Sequence, residues 1–275
     1  MSDKSHYIEE YRAIDSKKSL GQHFLTNDFV TEKMVKDAEV NTDDAVLEIG
    51  SGLGILTKAI FDHNPRQLIL CEKDRDLAEI LKKKFTSKKI KIITEDALLL
   101  IPNLQVSPPF KVVSNLPYNI SSPVIVSLLT TSQVLPATIA VMLQKEVAQR
   151  ICAKGGDSNR GILTILVELL GQGKITDKVS KNQFYPAPQV DSAVVVISQI
   201  KKPEVNPKKF LKMLKMSFAG KRKKIKNSLF STLKIDFPKA QNISKRAGVD
   251  LDLRPEDLTI GQWKKLFNEI ESYLR

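Results

Sequence analysis

Cysteine and histidine are scarce in this chain: 275 residues hold only Cys71 and Cys152, with His6, His23 and His63. Two thiols cannot build a disulfide scaffold and suit a reducing compartment, so a cytoplasmic protein is expected. The scattered histidines show no ligand spacing, and no metal is expected. Long apolar runs are missing too. The longest, around Ile162 to Leu170, is interrupted by Thr164 and Glu168 and is far short of the ~20 residues that span a bilayer. Met1 to Ser19 mixes charges without an apolar stretch and does not read as a secretory signal. Residues 1–18 are expected to form a flexible tail. Against these absences, 42% of the residues are hydrophobic, enough for one or two packed cores.

Acidic residues are the next scarcity, and a local one. Residues 201–275 carry 19 Lys/Arg against 8 Asp/Glu, whereas the first 200 residues hold 24 and 23. Nine basic residues and no acid lie between Lys208 and Lys226. A near-neutral body with a basic final third suits a polyanion partner such as a nucleic acid, with Lys221, Arg222, Lys223, Lys224 and Lys226 as candidate contacts. A solvated lysine-rich helix face is the plain alternative. A membrane surface is disfavoured because the segment lacks exposed aromatic anchors.

Up to about Gln144, apolar strand-like runs (45–49, 67–71, 90–94, 111–114, 138–143) alternate with helical stretches (55–61, 75–85, 122–130, 145–153). That alternation predicts a parallel sheet covered on both faces. Two β-branched runs, 174–179 and 192–199, should extend the sheet. Between them, Phe184-Tyr185-Pro186-Ala187-Pro188 reads as a stiff loop, since proline donates no ladder hydrogen bond. After residue 200 the apolar spacing turns helical, with helices expected from Phe210 and over 224–233, 240–247 and 260–274. The expected organisation is a sheet-bearing domain over 19–200 and a basic helical domain over 201–275.

Glu48-Ile49-Gly50-Ser51-Gly52-Leu53-Gly54 runs from a strand into a glycine turn and then a helix. Glycine lets the backbone turn tightly and approach a ligand closely. The spacing is G-x-G-x-G, with Ile55 where the dinucleotide fingerprint has its third glycine. Glu48 would also repel a pyrophosphate. S-adenosylmethionine carries a sulfonium and an ammonium, so nearby carboxylates are tolerable or useful. Glu72 closes the next strand, where α/β nucleoside sites keep a carboxylate for the ribose hydroxyls. Asp96, after the third strand, is placed to accept from the adenine amine.

The fourth strand ends in Ser114-Asn115-Leu116-Pro117-Tyr118. An exocyclic adenine amine is a poor nucleophile because its lone pair is delocalised. Asn115 Oδ1 and a backbone carbonyl, that of Leu116, can accept its two N–H bonds and aim the lone pair at a methyl group. Pro117 fixes the turn. Tyr118 offers a flat face for the purine and Phe184 a second one.

Taken together these motifs resemble the ribosomal RNA adenine dimethyltransferase family of the bacterial small-subunit (KsgA) type. The resemblance rests on Leu20-Gly21-Gln22-His23-Phe24-Leu25, the glycine loop, Asn115 to Ser121, Phe184-x-Pro186-x-Pro188-x-Val190-x-Ser192, the basic tract from Phe218, and Arg254-Pro255-Glu256-Asp257-Leu258. It implies an α/β fold: a Rossmann-like S-adenosylmethionine-dependent methyltransferase sheet followed by a small all-helical domain. It implies cofactor contacts at His23, Leu25, Gly50, Glu72, Asp96 and Asn115, beside Glu48 and Gly52 of the loop itself. It also implies twofold N6-methylation of two adjacent adenosines near the 3′ end of small-subunit rRNA in a pre-ribosomal particle, by a monomer. Arg160-Gly161-Ile162-Leu163-Thr164 departs from the family's usual tract, which puts substrate-side contacts there in doubt. The rivals are a macrolide-resistance-type enzyme acting on large-subunit rRNA, a non-catalytic RNA-binding assembly or transcription factor, and a DNA adenine methyltransferase.

Overall fold

A computed structural model describes residues 23–220 and 222–274. The tail assigned to residues 1–18 and the basic residue Lys221 therefore lie outside the described residues. Two compact units emerge, one of residues up to 148 with 172–201, the other of 149–171 with 202 onward.

The first unit holds β2 (Ala45–Ile49), β3 (Gln67–Cys71), β4 (Ile90–Ile93), β5 (Phe110–Asn115), β6 (Thr138–Gln144), β7 (Gln172–Val179) and β9 (Ser192–Ser198) in one sheet, ordered β4-β3-β2-β5-β6-β9-β7. β4 to β6 in that order are parallel, while β9 runs antiparallel to both β6 and β7. Every residue of β2 is buried, as a strand covered on both faces requires. The covering helices are α1 (Asp28–Asp37), α2 (Ile55–Asp62), α3 (Arg75–Lys84), the short α4 (Ala97–Leu100), α5 (Ser121–Thr130) and the start of α6 (Lys145–Ile151). The chain winds outward from β2 through β3 to β4, then returns to β5 on the other side of β2. That reversal opens a crevice at the carboxyl ends of β2 and β5. The Ser114 hydroxyl donates to the Ile49 carbonyl at 2.6 Å in the buried sheet, bracing the two strands where they diverge.

Two short strands that local pattern did not reveal, β1 (Phe24–Leu25) and β8 (Phe184–Tyr185), pair antiparallel with Phe24 opposite Tyr185. Thr26 adds two bonds to the Gln183 carbonyl, through its backbone N–H at 2.9 Å and its hydroxyl at 3.0 Å. The prolines that stiffen this segment follow the pairing residues, so the ladder loses no donor.

The second unit is helical: α7 (Ile162–Leu170), α8 (Pro207–Ser217), a π-helical turn (Lys226–Phe230), α9 (Phe237–Ala247) and α10 (Ile260–Ile270). Asn206 and Asp236 cap α8 and α9 with their side chains, and Thr259 and Gln262 form a reciprocal box at α10. Phe210, Phe230, Trp263 and Phe267 are fully or almost fully buried. Sequence pattern assigned 149–171 to the sheet-bearing part, but here those residues join the helices. The reason is α7, whose apolar residues from Leu163 to Leu170 are buried and which packs on α8 and α10. Arg160, just before it, has a side chain only 1% exposed and grips Glu168 Oε2 at 2.6 Å and the Glu256 and Leu258 carbonyls at 2.9 and 2.5 Å. The tract that departs from the family pattern is thus an internal clamp on the Arg254–Leu258 segment. Among the described residues, no helix is long and apolar enough to cross a membrane.

Candidate active site

Strand β2 ends at Ile49, and the chain turns through Gly50 and Gly52, both with positive φ (72° and 56°). A Cβ on Gly50 would stand 3.1 Å from Pro117 Cδ, and one on Gly52 would stand 3.2 Å from the Phe24 ring. Conformation and space therefore both require glycine. The contact at Gly50 also means that the glycine turn and the Asn115–Tyr118 turn lean on each other. Glu72, at the end of β3, accepts from Gly52 N–H at 3.0 Å through one oxygen and from Asp74 N–H at 2.9 Å through the other. Burial raises its pKa, and those backbone bonds oppose the rise. Asp96 caps α4 through Leu98 N–H and pairs with Lys73 Nζ at 2.9 Å. The lysine and the cap hold its carboxyl below the usual range.

Glu48 is the most perturbed acid of the site. It is 1% exposed and accepts from the Thr57 hydroxyl at 2.6 Å. Desolvation outweighs the Thr57 bond, and with nearby Glu72 it pushes the pKa from 4.5 up to about 8. Between those two pH values the folded protein holds a proton that the unfolded chain has lost. Stability from this group therefore falls as pH rises from 4.5 to about 8. Glu48→Gln should flatten that slope and stabilise the protein at pH 8 by a few kcal/mol, on the order of 1.4 kcal/mol per pKa unit. Urea unfolding between pH 5 and 8 checks this, and an unchanged slope in the variant would refute it.

One cleft is lined by His23, Leu25, Glu48, Gly50, Gly52, Glu72, Asp96, Asn115, Leu116, Pro117 and Tyr118. The sequence-derived cofactor residues and the Asn115–Tyr118 turn thus share a single site. Phe184 does not join them. Its side chain is 5% exposed and packs into the apolar cluster with Leu25, Val30 and Met34. Alternation along β8 turns Phe184 toward that cluster, and Tyr185 packs beside Phe24, Leu53 and Leu77. The ring that does stack on Tyr118 is His23, at 5.5 Å between centroids and 28° between planes. His23 Nδ1 lies 2.8 Å from the Pro186 carbonyl, which can only accept, so that nitrogen carries the proton.

Leu53, Ile55, Cys71, Lys73, Leu77, Asn119 and Ile120 also line the cleft but escaped sequence reasoning. Helical position alone could have suggested Leu77. Ser51, in the glycine turn, is 5% exposed, and its hydroxyl lies close enough to the Glu48 carboxyl to oppose the rise in that group's pKa. In the second unit, Lys224 and Lys226 share Asp252 at 2.9 and 2.6 Å. Arg222 and Lys223 are exposed and make no ion pair among the described residues.

A family model described as ribosomal RNA adenine dimethylase matches residues 14–272. The ribosomal RNA small subunit methyltransferase A of Clostridium botulinum (strain ATCC 19397 / Type A) is 38% identical over 255 residues, covering 90% of this chain and 92% of that protein. Among solved structures, a dimethyladenosine transferase from Plasmodium falciparum superposes with a TM-score of 0.76 at 26% identity, over 91% of this chain and 98% of that one. The 23S rRNA methyltransferase ErmE superposes with a TM-score of 0.65 at 26% identity, over 90% and 99%. Sheet, glycine turn and helical unit are those of the Rossmann-like methyltransferase fold expected from the sequence. The chain belongs to the ribosomal RNA adenine dimethylase family.

Proposed function

We propose that this protein transfers methyl groups from S-adenosylmethionine to the N6 amines of two adjacent adenosines near the 3′ end of small-subunit rRNA, acting as a cytoplasmic monomer on pre-ribosomal particles. The observation that carries the reading is the convergence of Glu72, Asp96 and the Gly50–Gly52 turn with Asn115–Tyr118 in one cleft. The residues present suit the cofactor. The charged lining of the cleft is Glu72, Glu95 and Asp96 with one lysine, Lys73, already paired with Asp96, while Glu48 keeps its proton near neutral pH. Such a lining disfavours a polyphosphate and suits a cationic nucleoside with hydroxyls to donate.

When bound, S-adenosylmethionine supplies a methyl group made electrophilic by its sulfonium. The chain's own task is orientation. Asn115 Oδ1 and the Leu116 carbonyl accept the two N–H bonds of the target amine, turning its lone pair toward the donor. Tyr118 supports the flipped purine by its ring face. The proton leaves the nitrogen once methylation has made it acidic, so no buried base is required. Incubating the protein with unmethylated small subunits and the methyl donor, then measuring dimethyladenosine by mass spectrometry, tests the reading. Methylation confined to large-subunit rRNA would overturn it, as would binding to particles with no methylated adenine.

The second unit is the RNA-binding part in this reading. Each phosphate neutralised by a lysine or arginine releases counterions and steepens salt dependence. Because Asp252 already engages Lys224 and Lys226, the exposed Arg222 and Lys223 should carry more of the slope. Replacing both with Gln should reduce the log–log salt slope of RNA binding by about 1.5. Asp252→Asn should steepen it by releasing two lysines. Filter binding between 50 and 300 mM salt, as approximate limits, reads both changes, and unchanged slopes would assign the tract to a solvated surface.

A further inference from the structure

The turn that holds Tyr118 leaves its ring attached by a single flexible side chain. Backbone bonds from Ile120 N–H to the Pro117 carbonyl at 3.1 Å and from the Ser121 hydroxyl to the Tyr118 carbonyl at 3.1 Å fix the main chain. They do not fix the ring. What does so comes from a strand 74 residues further on: Tyr118 Oη lies 2.7 Å from Ser192 Oγ. Ser192 is 0% exposed and is the first residue of β9. Because β9 is antiparallel to β6, its first residue pairs with Gln144, the last residue of β6, and on the other side with Val179. The hydroxyl therefore stands at the cleft end of the sheet on a backbone held from both sides. Tethering an aromatic ring at its far tip restricts its swing more than any bond near the backbone would.

We propose that Ser192 is a positioning residue for methyl transfer: it holds the Tyr118 ring in the plane on which the target purine is seated, with His23 limiting the ring from its face. The proposal rests on the reading of Tyr118 as the purine's seat. Orientation errors at a reacting centre lower turnover more than affinity, because the lost interaction is realised only in the transition state.

The test compares Ser192→Ala, Ser192→Thr, Tyr118→Phe, the Ala/Phe double variant and Tyr118→Ala. Each is assayed for single-turnover methylation of unmethylated small subunits, for particle KM, for S-adenosylhomocysteine affinity by calorimetry, and for Tm. Ser192→Ala should lower the rate about fivefold, the size of one neutral hydrogen bond, with KM and S-adenosylhomocysteine affinity unchanged. Ser192→Thr should retain the rate. Tyr118→Phe should lose as much as Ser192→Ala, and the double variant should lose no more than either single one. A general structural defect would instead persist in the Phe background and follow Tm. Multiplying losses in the double variant overturn the proposal, as does a wild-type rate for Ser192→Ala beside an inactive Tyr118→Ala. A wild-type rate for Tyr118→Ala would overturn the purine seat itself, a separate failure. Should Ser192→Ala fold poorly, Tyr118→Phe and Ser192→Thr still decide.

Discussion

Asn115→Ala should slow methyl transfer by about a thousandfold, while S-adenosylhomocysteine binding weakens no more than several-fold and particle binding is retained. Removing one preorganised polar group aimed at developing charge typically lowers turnover by about two to three orders of magnitude. The upper end is expected here because Asn115 is the last residue of β5, a strand paired with both β2 and β6 and so rigidly held. An alanine leaves one amine hydrogen unbound and the lone pair unaimed. Water can partly replace the lost acceptor but cannot supply its direction. Rapid-quench methylation with saturating donor separates this from a cofactor defect, and a loss confined to KM would remove Asn115 from the chemical step.

A second large effect is expected far from the chemistry. Arg160→Ala should destabilise the helical unit by about 3 kcal/mol. The guanidinium ends four short contacts: two on Glu168 at 2.6 and 3.3 Å, and one each on the carbonyls of Glu256 and Leu258. Glu168 is 30% exposed and recovers some hydration when the arginine goes. The Leu258 carbonyl loses a buried partner outright. Denaturation followed by Trp263 fluorescence reports on this unit, because the single tryptophan lies in its core. Arg160→Lys should recover only part of the loss, since an ammonium cannot span a bidentate carboxylate and two carbonyls at once. A midpoint unchanged in Arg160→Ala would show the clamp to be energetically idle.

Much of this molecule is legible in its sequence, for identifiable reasons. Parallel strands buried on both faces leave continuous apolar runs, so β2, β3 and β6 declared themselves. Ligands in open α/β sheets bind at strand ends, so Gly50, Glu72, Asp96 and Asn115 could be grouped without knowing a distance. What escaped detection lacked a local signature. The mostly apolar run of 162–170 fits a buried helix or a strand equally, and only packing onto α8 and α10 settles it. The burial of Phe184 was not legible because a two-residue strand has no period to count. Ser192 carried no signal of its relation to Tyr118, since register between distant strands is written in the sheet and not in either segment.

The β1–β8 pairing has a consequence for how the protein is made. Phe24 emerges early from a translating ribosome, yet its partner Tyr185 is synthesised some 160 residues later. During that interval the segment that will wall one side of the cleft can pack on Leu53 and Leu77 but lacks its strand partner. The first stretch of that wall to be translated therefore waits for one of the later ones, and a nascent chain halted before residue 183 cannot complete the pairing.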